Sequence, residues 1–330
     1  MKLLTKSVPA YFLFLIIFIA GGIILYQKFN PVRVYEKIEA KNSCDFQIIR
    51  NTKYKFIRPL ILGDRNCEDE IFSVLKTNLN EYLNSEKSTG ALKSASVYVR
   101  EFDQGKWFSI NPTETFSPGS MMKIATLITY LKDSEHNPDL LNQKIQFKAT
   151  YSQMPVQSIV SGHLTSGRYY TIKELMEAMI IDSDNDATML LSQTMNANTY
   201  FDLCRSLNLA VPTKDQVDYP ITAMECSRFL RVIFNSSYLE SANSEYAMNL
   251  LTKSKFSDGL IKLLPETISV AHKFGEKFNP IEQQLHETAI VFSSNKPYLI
   301  TVMTRGTDQQ KLKTVLNSIS KKVYDFMAAR

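Results

Sequence analysis

A serine and a lysine three residues apart on one helical face bring a hydroxyl beside an amine, and a neutral lysine there can take the serine proton as the oxygen attacks a carbonyl. The chain holds this spacing four times, at Ser73/Lys76, Ser120/Lys123, Ser293/Lys296 and Ser318/Lys321, so spacing alone selects nothing. Context selects Ser120. It follows the turn signal Ser117-Pro118-Gly119 and opens an apolar helical pattern, Met121 to Leu131. The N-terminus of such a helix offers unpaired backbone N–H groups to a developing oxyanion. The plain structural role for such a serine is a helix cap.

Two further groups carry potential chemistry. Ser183-Asp184-Asn185 stands between the helical pattern Ile172 to Ile181 and a second one from Ala187 to Met195, where a capping turn is the ordinary reading. The wider run Asp182 to Asp186 begins like an EF-hand loop. Ala187 takes the place of the needed glycine and Gln193 that of the closing glutamate, which argues against calcium. Lys273-Phe274-Gly275 falls on an expected strand, where a glycine permits close backbone approach by a ligand. His136, His163, His272 and His286 include no pair spaced to share a helical face, and the four cysteines show no Cys-x-x-Cys. No metal site and no cofactor is expected.

The elements that must position these residues follow from hydrophobic periodicity. Ile71, Val74, Leu75, Leu79 and Leu83 recur at helical spacing, which predicts a helix over Glu68 to Asn84. Ser94 to Phe102, a turn at Asp103-Gln104-Gly105, and Lys106 to Ile110 read as a strand pair. Helical patterns then dominate from about Ser117 to Leu264, among them Ile172 to Ile181 and Ala223 to Phe234. Ile268 to Phe274, Glu287 to Phe292 and Tyr298 to Met303 read as strands, and Gln309 to Met327 as a closing helix. The order is that of an α+β chain, or α/β in the broad sense: an antiparallel sheet completed by both chain ends, flanked by helices, with an all-helical lobe inserted at about 117–264.

Val8 to Tyr26 is a charge-free run that at ~1.5 Å per residue just spans a hydrocarbon core of ~30 Å. After the short tail 1–7, it is expected to be an uncleaved signal anchor, a single transmembrane helix that carries the body, 68–330, outside the cytoplasm. Residues 27–67 lack sustained periodicity and suit a stalk or a strap on the body, with Cys44 and Cys67 free to pair outside the cell. The net charge of +5 is spread along the chain, so nucleic acid is not an expected partner. No feature of the sequence sets an oligomeric state.

Ser120-Met121-Met122-Lys123, Ser183-Asp184-Asn185 and Lys273-Phe274-Gly275, in that order, resemble the three motifs of class A β-lactamases and penicillin-binding proteins. The likeness extends to Ser96–Ile110, Phe116–Ser120, His163-Leu164-Thr165 to Asp186, and Tyr298–Gly306, and covers roughly Glu68 to Arg330. It implies a two-lobed β-lactamase-like fold with the site between sheet and helical lobe. It also implies Ser120 as acylated nucleophile and Lys123 as its base, the lysine pKa lowered by burial and by the charge of Lys273. Ser183 would pass a proton to the leaving nitrogen. Asn185 would hold the substrate amide and orient Lys123, and the backbone N–H groups of Ser120 and Glu276 would form the oxyanion hole.

The sequence departs from that pattern twice. No glutamate stands between Leu207 and Met224 to activate a deacylating water, only Asp215 and the shorter-reaching Asp218. Phe274 replaces a hydroxyl residue that would bind a substrate carboxylate, and neither His286, Glu287 nor Thr288 supplies an arginine opposite. Phe274 is expected instead to wall the substrate pocket. The resemblance implies a serine hydrolase that a β-lactam or a peptidoglycan-type peptide acylates; with the charge-free run 8–26 the expectation is a membrane-anchored one, and the missing glutamate adds slow release. The contrasting expectation is a catalytically silent module that binds cell-wall peptides.

Overall fold

Strand Tyr298–Gly306 is apolar almost without interruption because both of its faces are covered: Leu299 and Met303 pack toward one hydrophobic core and Ile300 and Val302 toward another. This period-two division runs through the whole sheet and separates the two halves of the molecule. The computed structural model describes residues 46–52, 54–90, 92–148, 164–213, 218–278, 281–293 and 296–330. Among these, five strands form one antiparallel sheet in the order β4-β3-β11-β10-β9: β3 (Leu92–Glu101), β4 (Trp107–Ile110), β9 (Ser269–Phe278), β10 (Gln283–Phe292) and β11 (Tyr298–Gly306). The last strand, β11, pairs with early β3, Val302 opposite Val97, so segments far apart in the chain close the sheet together. The fold is α+β, with eight α-helices among the described residues.

One face is covered by α1 (Ser73–Ser88) and α8 (Gln309–Ala328). Leu75, Leu79 and Leu83 of α1 and Leu312, Leu316, Ile319 and Val323 of α8 recur at helical spacing and bury against Val97, Val99, Ile300 and Val302. The other face carries the helical lobe, built of α2 (Lys123–Ser134), α3 (Ile172–Ile181), α4 (Asn185–Thr194), α5 (Ala197–Ser206), α6 (Ala223–Phe234) and α7 (Ser241–Leu251). Helices α3 and α6 start where the sequence reading places them, each behind a capping box, Thr171 with Glu174 and Thr222 with Glu225. Helices α5 and α7 are additions to that reading.

Short ladders tie the lobe to itself, β5 (Thr115–Phe116) with β8 (Ile221–Thr222) and β6 (Lys144–Gln146) with β7 (Tyr169–Thr171). Part of the stretch expected as stalk or strap folds as a hairpin, β1 (Phe46–Arg50) with β2 (Leu60–Arg65). Ile61 and Leu62 are buried, and Asp64 pairs with Arg100 at 2.9 Å and with Arg231 at 2.7 Å. The hairpin is thereby fastened to the sheet and to α6 at once. The expected anchor, 8–26, and Cys44 lie outside the described residues. Cys67 is disulfide-bonded, and Cys204 and Cys226 are buried free thiols. Among the described residues no helix is long and apolar enough to cross a membrane.

Candidate active site

Ser120 sits in a single 3₁₀ turn, Gly119–Met122, that feeds directly into α2. The turn is pressed against edge strand β9 closely enough to exclude side chains. A Cβ on Gly275 would fall 2.1 Å from the Pro118 carbonyl oxygen and 3.1 Å from the Met121 nitrogen. A Cβ on Gly119 would lie 2.5 Å from the Glu276 oxygen and 2.9 Å from its nitrogen, and Gly119 has φ +54°, which only glycine adopts freely. The space above Gly275, expected to admit a ligand, is filled by the serine's own turn. Backbone groups of Ser120 and Glu276 are thus brought side by side. The Ser120 hydroxyl is partly exposed and makes no hydrogen bond with any described residue.

A chain of hydrogen bonds behind the turn holds it in place. The Thr304 N–H donates to His286 Nδ1 at 3.0 Å, so the ring carries its proton on Nε2, which donates to Gln284 Oε1 at 3.2 Å. The same oxygen accepts the Ser117 N–H at 3.2 Å. Burial drives the His286 pKa down to about 3, so the imidazole stays neutral. A lone histidine on a strand gives no sequence signal of this role, which shows only in the β9–β10 register, where His286 lies opposite Gly275.

Lys123, at the start of α2, is only 5 % exposed. Its Nζ donates to the Ser183 carbonyl at 2.6 Å and to Asn185 Oδ1 at 2.8 Å, and lies 3.2 Å from Ser183 Oγ. Ser183 can supply both carbonyl and hydroxyl because it takes a left-handed conformation, φ +55°, in the break between α3 and α4. Asp184 makes that break a proper helix start by accepting the Ala187 N–H at 2.8 Å. Asn185 then opens α4 with its amide turned back to the lysine. Burial lowers the Lys123 pKa to about 7, against the opposing pull of Asp184 and Glu276. The structure therefore brings Lys123, Ser183 and Asn185 together, with Ser120 one turn upstream.

Lys273 is fully buried on β9, its Nζ 3.4 Å from the Phe274 carbonyl oxygen and 4.2 Å from the centre of the Phe274 ring. Burial, and then the charge of Lys123, push its pKa well below the usual lysine value. It was expected to lend positive charge to depress Lys123. Burial, the other expected cause, is what lowers Lys123, and Lys273 is itself drawn toward the neutral form. Phe274, expected to wall the pocket, is 3 % exposed, with its ring 4.4 Å from that of Phe256. It belongs to the core beneath the sheet, among Phe256 and Leu260, because strand alternation sends it there. Thr288 lies opposite Lys273 and Glu287 opposite Phe274, so no arginine stands there. Glu276 is half-buried, accepts from Gln309 Nε2 at 2.6 Å, and acts electrostatically on both lysines.

Asp218, the one described acid in 207–224, is bound to Lys277 of β9 at 2.7 Å and hydrogen-bonded by the Ser117 side chain. These contacts hold its pKa below the usual carboxylate value, which makes it a weak proton acceptor. Asp215 lies outside the described residues, as does His163. Cavities of about 370 and 580 Å³ open beside α7 and along 252–270, and neither is lined by Ser120, Lys123 or Ser183. Among the described residues no group of His, Cys, Asp and Glu is placed to hold a metal ion.

Solved structures share this arrangement of elements. A β-lactamase from Sphaerobacter thermophilus superposes with a TM-score of 0.67 at 17 % identity, covering 80 % of this chain and 99 % of its own. A β-lactamase from Xanthomonas campestris gives 0.64 at 17 % identity over 78 % of this chain and 98 % of its own. A protein named PBP-A gives 0.64 at 17 % identity over 77 % and 97 %. At such identities the likeness is one of fold. No curated protein sequence matches the chain. A family model described as the Beta-lactamase enzyme family matches residues 75–327, which takes in every strand of the large sheet and all of α2 to α7, and by that match the chain belongs to the Beta-lactamase enzyme family.

Proposed function

We propose that the protein is a serine hydrolase that forms an acyl intermediate on Ser120, taking a β-lactam or a peptidoglycan-type peptide as acyl donor. The observation that carries this reading is the Lys123 amine, buried, held by Ser183 and Asn185, and poised with a pKa of about 7 one turn from a serine hydroxyl. A base is most effective when its pKa lies near the working pH. In the reaction, Lys123 takes the Ser120 proton as Oγ attacks the carbonyl carbon. The oxyanion that forms is met by the N–H groups of Ser120 and Glu276. The proton then passes through Ser183 Oγ to the leaving nitrogen, the C–N bond breaks, and the acyl group remains on Ser120.

Release requires a water and a base. Asp218 is engaged by Lys277, and the loop holds no glutamate, which supports slow deacylation. The charge-free run 8–26 supports a body tethered to a membrane and facing away from the cytoplasm. The competing reading, a silent cell-wall peptide-binding module, draws support from Phe274, which packs in the core and offers no hydroxyl to a substrate. Intact-mass spectrometry with a penicillin, followed over time beside Ser120→Ala, separates the two. A lasting adduct on the unaltered protein alone supports acyl transfer with slow release. No adduct and no loss of antibiotic refutes the β-lactam reading.

A further inference from the structure

The β1–β2 hairpin turns apolar side chains in two directions. Ile49, Ile61 and Leu62 face the body and are buried, whereas at the tip Tyr54, Phe56, Ile57 and Leu60 face outward, with Phe56 87 % exposed. An outward group of two aromatic and two aliphatic side chains at one hairpin tip is unusual on a soluble surface and marks a contact site. The same stretch, Phe46 to Gly63, holds Arg50, Lys53, Lys55 and Arg58 and no acidic residue. Lys55 Nζ sits 5.0 Å from the centre of the Phe56 ring, and the Arg50 guanidinium donates to the Arg58 carbonyl at 2.8 Å. Aromatic rings interleaved with cations suit the headgroup layer of a bilayer, where the rings enter the acyl boundary and the cations meet anionic lipid.

Two further observations identify the occupant. The hairpin is the first described element after the charge-free run 8–26, and the intervening segment 27–45 can extend to at most ~65 Å at ~3.4 Å per residue. A bilayer holding that run is therefore within reach. The hairpin base is also rigid: Asp64 bridges Arg100 and Arg231, Ser237 Oγ donates to the Ile61 carbonyl at 2.7 Å, and Trp107 Nε1 donates to the Arg65 carbonyl at 2.9 Å. A tip seated in lipid would thus fix the orientation of the whole body. We propose that the hairpin tip, Tyr54 to Leu60 with Arg50, docks into the headgroup layer of a membrane bearing anionic phospholipid. The inference rests on the membrane reading of residues 8–26 and is independent of the acylation reading.

The test uses the full chain reconstituted into phosphatidylethanolamine vesicles containing phosphatidylglycerol. An environment-sensitive fluorophore is attached at Phe56→Cys, with Val74→Cys, exposed on α1, as reference; Cys67 is bonded and Cys204 and Cys226 are buried, so labelling is selective. Co-flotation reports the 8–26 segment, and quenching by nitroxide lipids reports the tip. The expected result is quenching at position 56 at least fivefold above that at 74, lowered severalfold by Lys55→Glu with Arg58→Glu or by replacing phosphatidylglycerol with phosphatidylcholine. Flotation with equal quenching at both positions overturns the docking while sparing the anchor. Failure to float overturns both. Shielding of position 56 that ignores lipid charge and grows with protein density overturns the proposal in favour of a protein contact.

Discussion

Replacing Gly275 with alanine tests whether the contact between β9 and the Ser120 turn sets the site. The added methyl would stand 2.1 Å from the Pro118 carbonyl oxygen, and a carbon and an oxygen need roughly 3.2 Å, so strand and turn must part by about 1 Å. Neither neighbour can yield cheaply, because both are backbone and the turn is held from behind through Gln284 and His286. Two consequences follow. Overpacking of this kind costs about 1–3 kcal/mol, and for a body of this size each kcal/mol lowers Tm by roughly 2–4 °C. Displacing the Ser120 N–H from the Glu276 N–H by about 1 Å spoils the geometry an oxyanion needs, which is worth about 100-fold in acylation.

The measurements are the rate of penicillin adduct formation by mass and the thermal midpoint by circular dichroism. Gly63→Ala serves as the matched control, since a Cβ there meets nothing within 4 Å. Acylation within threefold of the unaltered protein, at an unchanged Tm, would refute the claim that this contact defines the site.

Because Lys123 accepts a proton only when neutral, acylation should rise through pH 7 and fall about tenfold per unit below it, as stopped-flow rates across pH 5 to 9 would show. The folded pKa lies below the unfolded lysine value, so the unfolded chain binds more protons between pH 7 and about 10.4 and stability grows with pH across that window. Lys123→Met should accordingly raise Tm at pH 7 while abolishing the adduct. Glu276→Gln removes a charge that holds the Lys123 pKa up, so the acid limb should move to lower pH, and acylation by a carboxylate-bearing penicillin should quicken a few-fold. Burial lifts the Cys204 and Cys226 pKa values to about 11 and about 12, so the native protein at pH 8 should take up no iodoacetamide within an hour by mass, and the unfolded protein should take it up at both.

The large elements were legible because their physics is local. Capping residues and 3.6-residue periodicity mark Ile172–Ile181 and Ala223–Phe234, and unbroken β-forming runs mark β3 and β11. Helix α7 escaped because its start, Glu240, makes no side-chain cap and its first turn reads as a polar loop. At the site, spacing with its turn-and-helix context pointed to Ser120 and Lys123, and the resemblance to the class A motifs pointed to Ser183 and Lys273. What sequence could not carry was direction. Phe274 is adjacent to two site residues in the chain yet faces the opposite core, and Gly275 serves the contact between strand and turn. Those facts depend on which face of β9 meets which layer, a property of pairings more than 100 residues apart.

On the proposed mechanism, the assembly that favours attack on the substrate would disfavour release. Lys123 would serve as base at neutral pH because it is buried and because its hydrogen-bond partners, the Ser183 carbonyl and the Asn185 amide, are neutral acceptors. An acyl group on Ser120 would then leave that base on the side where the departing nitrogen is protonated. The water that attacks the ester must arrive with its own acceptor. The acid near the turn, Asp218, is tied to Lys277 and hydrogen-bonded by the Ser117 side chain, with its pKa lowered, so it serves to clamp β9 to the loop before α6. Freeing it by Lys277→Met would raise its pKa and its basicity together. If Asp218 reaches the acyl carbon, that variant should shorten the adduct lifetime, and an unchanged lifetime would assign Asp218 to the clamp alone.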